Sequence, residues 1–370
     1  MKQLKILITT DCFLPRWDGI ARFLSELLPQ LSTHKVTVVC PAFPGKAPRY
    51  KGVRIVRLPL MNIRFGDIQF AQFQYFRIKK LVREHDVVFN QTIGTIGMSS
   101  IMAGNSLGKQ VISYVHTIDW ELASHGVGKY KGTIHWSTRM LARWLYNKCS
   151  TLITSSKDME DILTQNKITP RKVIIPLGIN TQKFKPATIM RAKKNIGIKP
   201  ELFVIGYHGR IAREKNLPTL VAACQRIHAA HENMRLMIIG EGVSGEVPYL
   251  PWIIHAGKQD NVVPYLQALD AYVLPSLTET SSMATMEAMA VGLPVVVTPV
   301  GSIRDYVADE VNGLVFARQD IEGLIVRLVR LMENPELRKK LGNAARKTIL
   351  AKRQWKKTTK AIVGELRHNE

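Results

Sequence analysis

The sequence predicts an α/β protein built from two doubly wound parallel sheets. Short apolar runs rich in β-branched residues alternate with segments long enough for helices, a pattern typical of strand–helix–strand units. The alternation stops near residue 180 and starts again near residue 203, so two sheets are the simplest architecture. The length of 370 residues agrees with two domains, since one domain usually has about 150 residues.

The predicted strands follow the chain in two groups. Those of the first sheet are Leu4–Ile8, Val36–Cys40, Val53–Leu58, Val87–Phe89, Val111–Val115 and Leu152–Thr154. Those of the second sheet are Phe203–Tyr207, Leu236–Ile239, Trp252–His255, Tyr272–Leu274 and Pro294–Thr298. After residue 298 the pattern becomes helical, first over Ile321–Met332, then from Pro335, and then through two further basic amphipathic stretches.

A linker is predicted between the two sheets. Pro and Gly interrupt both the strand and the helix periodicity over residues 174–178 and again over residues 180–186. We therefore place the boundary near residue 180, which gives an N-terminal domain of residues 1–180 and a C-terminal domain of residues 181–351. Residues 352–370 form the last helical stretch.

The chain is strongly basic, with 52 Lys and Arg against 29 Asp and Glu and a net charge of +23. Residues 1–180 hold 25 of these basic and 11 of these acidic residues, so the N-terminal half is the more basic one. Such a charge calls for an anionic partner, namely a nucleic acid, a phosphorylated small molecule or a membrane surface. The hydrophobic content of 46% excludes a disordered chain.

Cysteine usage and the lengths of the apolar segments indicate a cytoplasmic protein. The four cysteines include no CxxC pair and have no His at metal-ligand spacing, which is typical of a reducing compartment and excludes a structural zinc site. The opening apolar run, Leu4–Ile8, is too short for the core of a signal peptide. No run reaches the ~18 apolar residues of a membrane span, so the chain is predicted not to cross a membrane.

The most specific motif reads PSLTETSSMATMEAMA over residues 275–290 and leads through Gly-Leu-Pro into a β-branched run. Its layout is strand, polar turn, helix and strand. The turn over Thr280–Met283 presents backbone N–H groups at a helix N-terminus, where phosphate oxygens bind readily. Glu279 precedes this turn and Glu287 follows it, so two carboxylates can flank a bound anion and accept hydrogen bonds from hydroxyls. This arrangement suits a sugar nucleotide.

The motif resembles the signature of glycosyltransferase family 4, in which two Glu separated by seven residues stand in the setting P-S-x-x-E and E-A-M-A-x-G-x-P-V-V. The resemblance implies that Glu279 contacts the transferred sugar and that Glu287 binds the nucleotide ribose. It also implies that the N–H groups near Met283 and Ala284 hold the diphosphate. The chain departs from many members at residues 280–282, where Thr-Ser-Ser replaces Gly-Phe-Gly.

The family resemblance also implies a complete architecture. It is the GT-B fold, in which two Rossmann-like domains face each other across a cleft. Residues 1–180 would bind the acceptor, and residues 181–351 would bind the nucleotide sugar. Residues 352–370 would form a helix that crosses back to the N-terminal domain.

A second motif, YHGRIAREKN over residues 207–216, follows an apolar strand and precedes a helix. Arg210 and Lys215 are spaced so that both can reach one anion. The resemblance implies that they neutralise the diphosphate, since negative charge grows on the departing nucleoside diphosphate as the glycosidic bond breaks. Arg213 is expected to face solvent.

In the N-terminal half, His116 follows the strand Val111–Val115 and so lies at the carboxyl end of a parallel strand, where ligands bind in such sheets. The resemblance implies that its ring or backbone contacts the donor sugar, which makes His116 a candidate catalytic residue beside Glu279, Arg210 and Lys215. Gly19 lies in the loop after the first strand. There the family usually has Gly-Gly, which lets the backbone approach the diphosphate and the acceptor. Asp18 is interpreted as the N-cap of the next helix.

The run GEGVSG over residues 240–245 matches the dinucleotide-binding fingerprint G-x-G-x-x-G. Pro248 and Pro251 follow closely, so no helix can open at the third glycine, and the run is interpreted as a glycine-rich turn. The sequence has no D-x-D in a metal-binding setting and no Asp/His cluster of ligand type. It therefore predicts no metal and no cofactor other than the nucleoside diphosphate sugar as co-substrate.

Two stretches of the N-terminal half, residues 64–83 and 129–148, mix aromatic residues with cations. In the second, Trp136, Met140 and Trp144 recur at helical spacing on one face. Such a helix can lie in the headgroup layer of an anionic membrane, and packing of the aromatics on the sheet is the alternative. The basic charge of this half favours peripheral binding to the inner face of the cell membrane.

The predicted function is therefore that of a retaining, metal-independent hexosyltransferase. It would move a hexose from a UDP- or GDP-hexose to a membrane lipid or a lipid-linked acceptor. A soluble glycan or small-molecule acceptor and a GT-B sugar-nucleotide epimerase are the alternatives among enzymes. A basic nucleic-acid-binding protein is the alternative of another class, and no nucleic acid partner is expected because the aromatics form no RNP-like pattern.

Overall fold

The computed structural model describes residues 3–16, 18–46, 48–65, 68–125 and 130–367 of the chain. It divides into two compact units. The first comprises Met1–Pro176 together with Thr359–Glu370, and the second comprises Leu177–Thr358. Each unit is an α/β structure around a parallel sheet, so the predicted fold class is confirmed.

The first unit has nine strands and six helices of its own in the part of the chain that the structure describes. Its strands are β1 Lys5–Thr9, β2 Lys35–Pro41, β3 Val53–Leu58, β4 Leu60–Phe65, β5 Ile68–Ala71, β6 Val87–Asn90, β7 Gln110–Val115, β8 Thr151–Thr154 and β9 Arg171–Ile174. Its helices are α1 Gly19–Leu27, α2 Tyr75–Glu84, α3 Thr95–Ser106, α4 Asp119–His125, α5 Lys131–Tyr146 and α6 Lys157–Gln165.

The sheet of the first unit has the strand order β3-β2-β1-β6-β7-β8-β9, and its described neighbours all pair in parallel. The strands β6, β7 and β8 are buried along almost their whole length, because helices cover both faces of such a sheet. A separate antiparallel hairpin is formed by β4 and β5.

The second unit contains the remaining elements. Its strands are β10 Phe203–His208, β11 Met234–Ile239, β12 Ile253–Gly257, β13 Ala271–Leu274, β14 Val295–Val297 and β15 Leu314–Val315. The helices that follow α6 in the chain are α7 Ile189–Asn195, α8 Leu217–Ala230, α9 Val263–Gln267, α10 Met283–Ala290, α11 Ile321–Glu333, α12 Pro335–Lys352 and α13 Trp355–Arg367. The sheet has the order β12-β11-β10-β13-β14-β15 and is parallel.

The last helix, α13, starts in the second unit and ends in the first, since the division falls between Thr358 and Thr359. Its end packs into the first unit through Ile362 and Leu366, which are fully buried. Arg171 on β9 also binds Glu365 of this helix through two hydrogen bonds of 2.6 and 3.3 Å. These contacts fasten the segment to a strand almost 200 positions earlier in the chain.

Both sheets reverse their strand order beside the first strand of the unit, between β1 and β6 and between β10 and β13. In doubly wound sheets, ligands bind at this point, beyond the carboxyl ends of the strands. The predicted site residues of each unit lie in the loops at these ends or on the helices that follow those loops.

Three elements are absent from the sequence prediction. The hairpin of β4 and β5, the edge strand β9 and the two-residue strand β15 all occur in the structure. The sequence of β9 is RKVI, whose two cations hide the apolar run that marks the other strands. The strand β15 is too short to show any periodicity.

Candidate active site

The candidate site of the second unit is formed by the loops that follow β10 and β13. Two hydrogen bonds join these loops. The backbone N–H of Leu277 donates to the carbonyl of Glu214 at 2.8 Å, and the side-chain amide of Asn216 donates to the carbonyl of Pro275 at 3.3 Å. Asn216 has a φ of +52°, which Asn tolerates better than most residues. The loops therefore hold the two predicted motifs against each other.

Lys215 and Glu279, predicted separately from the two motifs, form an ion pair at this junction. The Nζ of Lys215 lies 2.6 Å from Oε1 of Glu279, and both side chains are largely buried. The hydroxyl of Ser276 donates a second hydrogen bond of 3.0 Å to the same oxygen. The carboxylate of Glu279 is thus oriented from two sides, by the ammonium group of Lys215 and by the hydroxyl of Ser276.

Arg210 lies in the same loop and forms an ion pair with Glu214, with about half of its guanidinium side chain exposed. The hydroxyl of Tyr207 donates to the carbonyl of Arg210 at 2.7 Å. Burial, with the nearby charge of Glu279, raises the pKa of Tyr207 well above its usual value, so the phenol keeps its proton. The backbone that carries Arg210 is held in place while its side chain reaches solvent.

The glycine-rich run of residues 240–245 packs against the Arg210 loop. A Cβ on Gly240 would lie 1.9 Å from the carbonyl oxygen of Gly209, and one on Gly242 would lie equally close to that of Ile211. Backbone hydrogen bonds join Ile211 to the run in both directions, from its N–H to Glu241 and from the N–H of Val243 to its carbonyl, both at 2.9 Å. The glycine-rich run therefore holds the Arg210 loop in place through close backbone packing. The sequence did not predict this role for the glycines.

Glu287, on α10, is completely buried. Its Oε2 lies 2.8 Å from Nε2 of His208, the last residue of β10. The sequence predicted Glu287 as a ligand residue but gave no sign that His208 accompanies it, because the two are 79 positions apart.

The helix α10 begins at Met283, and its first turn contains the two predicted diphosphate-binding positions, Met283 and Ala284. The N–H groups of a first helical turn have no acceptor within the helix. Ser282 caps the helix with a φ of +35°, and its Oγ accepts from the N–H of Thr285 at 3.3 Å. Tyr306 donates to the carbonyls of Ser281 and Ser282 at 3.2 and 3.3 Å, which fixes the turn before the helix.

In the first unit, His116 lies at the end of β7, where the sequence placed it. Its Nε2 is 3.0 Å from Oε1 of Gln91, and the amide of Gln91 donates to the carbonyl of Phe89 at 3.3 Å. Because Gln91 presents its oxygen to the ring, Nε2 of His116 carries the proton and Nδ1 is the acceptor. Burial lowers the pKa of His116 to about 3, so the ring is neutral near pH 7.

Gly19 is the first residue of α1, and Asp18 is its N-cap, accepting from the N–H of Ala21 at 2.8 Å. The interpretation of Asp18 as a cap is therefore correct. A Cβ on Gly19 would meet no atom within 4 Å. The fold itself does not require glycine at this position.

Asp11, directly after β1, is a residue that the sequence analysis did not select. Its carboxylate accepts from the N–H groups of Ile96 and Gly97 at 3.0 and 3.2 Å and from the hydroxyl of Thr92 at 2.6 Å. It therefore caps α3, and burial raises its pKa. The signal in the sequence that could have identified Asp11 is its position as an acidic residue just beyond the carboxyl end of a predicted strand.

The helix α5 presents its two tryptophans outward. Its buried face consists of Ala142, Leu145 and Tyr146, whereas Trp136 is 58% exposed and Trp144 47% exposed. The alternative in which these tryptophans pack on the sheet is therefore wrong.

In the other aromatic stretch, Phe73 and Phe76 are also exposed. The side chains of Arg64 and Phe65 and all of Lys129 lie outside the described residues. In the described part of the chain, no helix is long and apolar enough to span a bilayer. Within the same part, no three His, Cys, Asp or Glu side chains come together in a group that could hold a metal ion.

Two family models match this chain. The model described as Glycosyltransferase Family 4 matches residues 17–183, and the model described as Glycosyl transferases group 1 matches residues 189–348. The first match covers most of the first unit. The second match contains the loops after β10 and β13, the glycine-rich run of residues 240–245 and α10.

Named proteins match the chain over most of its length. It is 25% identical to the alpha-monoglucosyldiacylglycerol synthase of Acholeplasma laidlawii, with 90% of this chain and 89% of that protein covered. It is 24% identical to the GDP-mannose-dependent alpha-mannosyltransferase of Mycobacterium tuberculosis (strain CDC 1551 / Oshkosh), with 98% and 96% covered. The solved structure of sucrose-phosphate synthase from Thermosynechococcus elongatus superposes with a TM-score of 0.80 at 19% identity and covers 99% of each chain.

Proposed function

We propose a specific reaction for this chain, which belongs to glycosyltransferase family 4, has the GT-B fold and is a hexosyltransferase. The proposed donor is a UDP- or GDP-hexose, and the proposed acceptor is a hydroxyl of a membrane lipid or a lipid-linked molecule. The anomeric configuration is retained, and no divalent metal is required. The observation that carries this proposal is the Lys215–Glu279 pair next to the N-terminus of α10.

The pair explains how one site can treat two parts of a donor differently. A diphosphate that binds at the first turn of α10 and at Arg210 and Lys215 attracts the ammonium group away from Glu279. The released carboxylate can then accept hydrogen bonds from the hydroxyls of the hexose. Two cations and a helix N-terminus stabilise the negative charge that grows on the nucleoside diphosphate as it leaves. In a metal-dependent enzyme, a divalent metal ion would stabilise this charge.

The residues of the first unit are suited to a neutral ligand. His116 offers Nδ1 as an acceptor for a hydroxyl of the donor sugar, and its low pKa makes the ring a hydrogen-bond partner rather than a proton carrier. We assign acceptor binding to this unit, and Gly19 at the start of α1 leaves open space for the backbone of the loop to approach a ligand.

A lipid acceptor is favoured by the surface of the first unit. Trp136 and Trp144 stand out from a helix whose other outward residues include cations, and Lys148 lies 4.7 Å from the ring of Trp144. Tryptophan and Lys together bind the interfacial and headgroup layers of an anionic membrane. The name of the Acholeplasma relative also specifies a monoglucosylated diacylglycerol as the product of that protein. We therefore place the enzyme at the cytoplasmic face of the cell membrane.

A binding screen tests the donor part of this proposal. Thermal unfolding of the purified chain is followed with UDP, GDP, ADP and their hexose conjugates, because a ligand that binds only the folded state raises the melting temperature. We expect one base class to stabilise the wild type and Lys215→Ala to lose that stabilisation. Arg226→Ala is the matched control, since Arg226 is an exposed cation of α8 that pairs with Glu322. Equal responses of the two variants would contradict the assignment.

Transfer tests the acceptor part. The conjugate identified by the screen is incubated with vesicles that contain diacylglycerol or a lipid-linked saccharide, and the lipid products are separated by chromatography. We expect a hexosylated lipid with the donor's anomeric configuration. Transfer to soluble sugars alone would leave the family assignment intact and overturn the lipid acceptor.

A further inference from the structure

The turn that precedes α10 is bound by one later segment of the chain, a 3₁₀ helix and the tyrosine that follows it, Tyr306. The backbone N–H of Ser302 in this segment donates to the carbonyl of Thr280 at 3.0 Å. The hydroxyl of Tyr306 donates to the next two carbonyls, that of Ser281 at 3.2 Å and that of Ser282 at 3.3 Å. Three consecutive carbonyls of the turn therefore accept hydrogen bonds from the same segment.

Tyr306 is itself held firmly in the second unit. Its side chain is buried, and the guanidinium carbon of Arg353 lies 5.2 Å from the centroid of its ring. Its carbonyl accepts a hydrogen bond of 2.9 Å from the side-chain amide of Asn312. Burial, with the nearby charge of Glu279, raises the pKa of Tyr306, so the hydroxyl keeps its proton and remains a donor near pH 7. The turn is thus bound by a donor whose own position is fixed.

The backbone conformation of Ser282 depends on these hydrogen bonds. Ser282 has a φ of +35° and a ψ of 77°, a left-handed conformation that residues with a Cβ seldom adopt. These two dihedral angles set the orientation of the peptide group before Ser282 relative to the peptide group after it. The carbonyls of Ser281 and Ser282 belong to those two groups. Since both carbonyls reach one hydroxyl only while Ser282 keeps its conformation, Tyr306 stabilises the left-handed backbone.

The same hydrogen bonds direct two backbone N–H groups. In a trans peptide the C=O and the N–H point in opposite directions. The carbonyl of Ser281 shares its peptide group with the N–H of Ser282, and the carbonyl of Ser282 shares its group with the N–H of Met283. Because Tyr306 binds both carbonyls, both N–H groups point away from the buried tyrosine. N–H groups at the start of a helix have no acceptor within the helix and are free to bind an anion.

We propose that Tyr306 is a positioning residue that directs the N–H groups of Ser282 and Met283 toward the terminal phosphate of the nucleoside diphosphate. This inference rests on the proposed function, in which the diphosphate binds at the first turn of α10. Its consequence is that the preference for a nucleoside diphosphate over the corresponding monophosphate depends on the hydroxyl of a buried tyrosine.

The test compares nucleotides that differ by one phosphate. Dissociation constants of UDP and UMP, and of GDP and GMP, are measured by calorimetry for the wild type and for variants of the full chain. We expect the wild type to bind the diphosphate of its base class about 100-fold more tightly than the monophosphate, the value of two hydrogen bonds to a charged group. In Tyr306→Phe this ratio should fall about tenfold, because the N–H groups lose their direction.

Substitutions of Ser282 separate the conformation of the turn from the stability of the protein. Glycine adopts positive φ without a steric cost, so Tyr306→Phe/Ser282→Gly should return the ratio to within about threefold of the wild-type ratio. Tyr306→Phe/Ser282→Ala is the matched control, since it removes the same serine hydroxyl and keeps a Cβ. It should behave as Tyr306→Phe does. Ile303→Val, a core change in the same segment, should leave the wild-type ratio unchanged.

A second measurement uses the wild type alone. The chain is labelled with ¹⁵N at serine and methionine, and the amide signals of Ser282 and Met283 are followed by NMR during titration with the diphosphate and with the monophosphate. Both signals should shift with the diphosphate and respond much less to the monophosphate. Signals that do not move with the diphosphate overturn the inference even where a variant fails to fold.

The ratios of dissociation constants decide the rest. A ratio that falls in Tyr306→Phe, returns with Ser282→Gly and does not return with Ser282→Ala supports the positioning role. A folded Tyr306→Phe protein with the wild-type ratio overturns it, and so does an equal fall in Ile303→Val or a ratio that glycine does not restore. In those cases a wild type that binds the diphosphate leaves the proposed function intact. A wild type that binds neither UDP nor GDP overturns the proposed function and this inference together.

Discussion

The carboxyl ends of the two sheets have the same topology and differ in the side chains that their loops present. In the second unit the loops after β10 and β13 bring together charged pairs, Lys215 with Glu279 and Arg210 with Glu214. In the first unit, His116 at the carboxyl end of β7 is neutral. The carboxylate of Asp11 accepts hydrogen bonds from backbone N–H groups of α3 and so caps that helix. The doubly wound fold thus provides the position, and the loop residues decide which kind of ligand each unit can take.

The outer surfaces of the two units differ as well. The first unit exposes Trp136 and Trp144 together on one helix, among cations. In the second unit, Tyr249 is a strongly exposed aromatic residue, and it is stacked on His255 at 4.4 Å rather than grouped with others.

The largest effect is expected when a charge is removed from the loops at the carboxyl end of the second unit's sheet. Lys215→Ala deletes a cation of the proposed diphosphate site and leaves Glu279 without its ammonium partner. We expect kcat to fall by about 10²–10³-fold, as for the loss of one transition-state hydrogen bond. Steady-state transfer with the donor found in the screen measures this. Loss of less than threefold, with the Arg226→Ala control unchanged, would show that the edge does not carry the leaving group's charge.

The outer surface gives the next largest effect. The double variant Trp136→Ser/Trp144→Ser should bind anionic vesicles about 30-fold more weakly, since each ring contributes about 1 kcal/mol when half of it is inserted. Co-sedimentation with anionic vesicles at low and high salt measures the change. The control is Tyr249→Ser, which removes an even more exposed aromatic residue from the second unit. If both proteins lose binding alike, the difference between the two surfaces has no bearing on membranes.

The third prediction concerns pH and the first unit alone. Burial raises the pKa of Asp119 to about 6, although Tyr146 donates to it at 2.6 Å. The folded state therefore holds this proton more tightly than the unfolded chain does, whose carboxyl has a pKa of about 3.9. The stability that the protonated acid contributes is complete below about pH 4 and is lost as the pH rises through about 6.

We expect Asp119→Asn to remove this loss. Between pH 4 and pH 7 the wild type should lose about 1–2 kcal/mol more of its free energy of unfolding than the variant does. Urea unfolding of both proteins at the two pH values measures the difference. Parallel pH curves would mean that the acid is not buried as the structure has it.

The smallest expected effect is at His116. If the neutral ring acts as an acceptor, His116→Gln, which keeps an acceptor oxygen, should reduce kcat/KM by only about threefold, whereas His116→Leu should reduce it about tenfold. Neither variant should remove a titration between pH 5 and pH 8, because the pKa of His116 is about 3. A pH profile that loses its basic limb in His116→Gln would assign proton transfer to this ring.

The sequence predicted much of this comparison and missed the contacts that support it. Arg210, Lys215, Glu279 and Glu287 stand in local motifs whose spacing is readable along the chain, and the structure brings the first three to one pair of loops. The partnership of His208 with Glu287 and the capping of α3 by Asp11 depend on which strand lies beside which helix. No local periodicity contains that information.

The glycine-rich run of residues 240–245 also shows that local sequence patterns do not reveal contacts between distant segments. Its spacing suggested a ligand site, and its prolines argued against one. Its packing against the carbonyls of Gly209 and Ile211 became visible only once β10 and β11 were neighbours. The sequence indicated that the backbone at these glycines has a special conformation. It did not indicate that the carbonyls of Gly209 and Ile211 leave no space for a side chain there.

The division of α13 between the units also bears on synthesis of the chain. The first unit is discontinuous, since Thr359–Glu370 belong with Met1–Pro176. As the ribosome releases the chain, the second unit has all its strands before the first unit has Ile362, Leu366 and the Glu365 partner of Arg171. The first unit to be made is therefore completed only after the second, and its helix α5 lies at the surface of an incomplete domain until residues 359–370 have been synthesised.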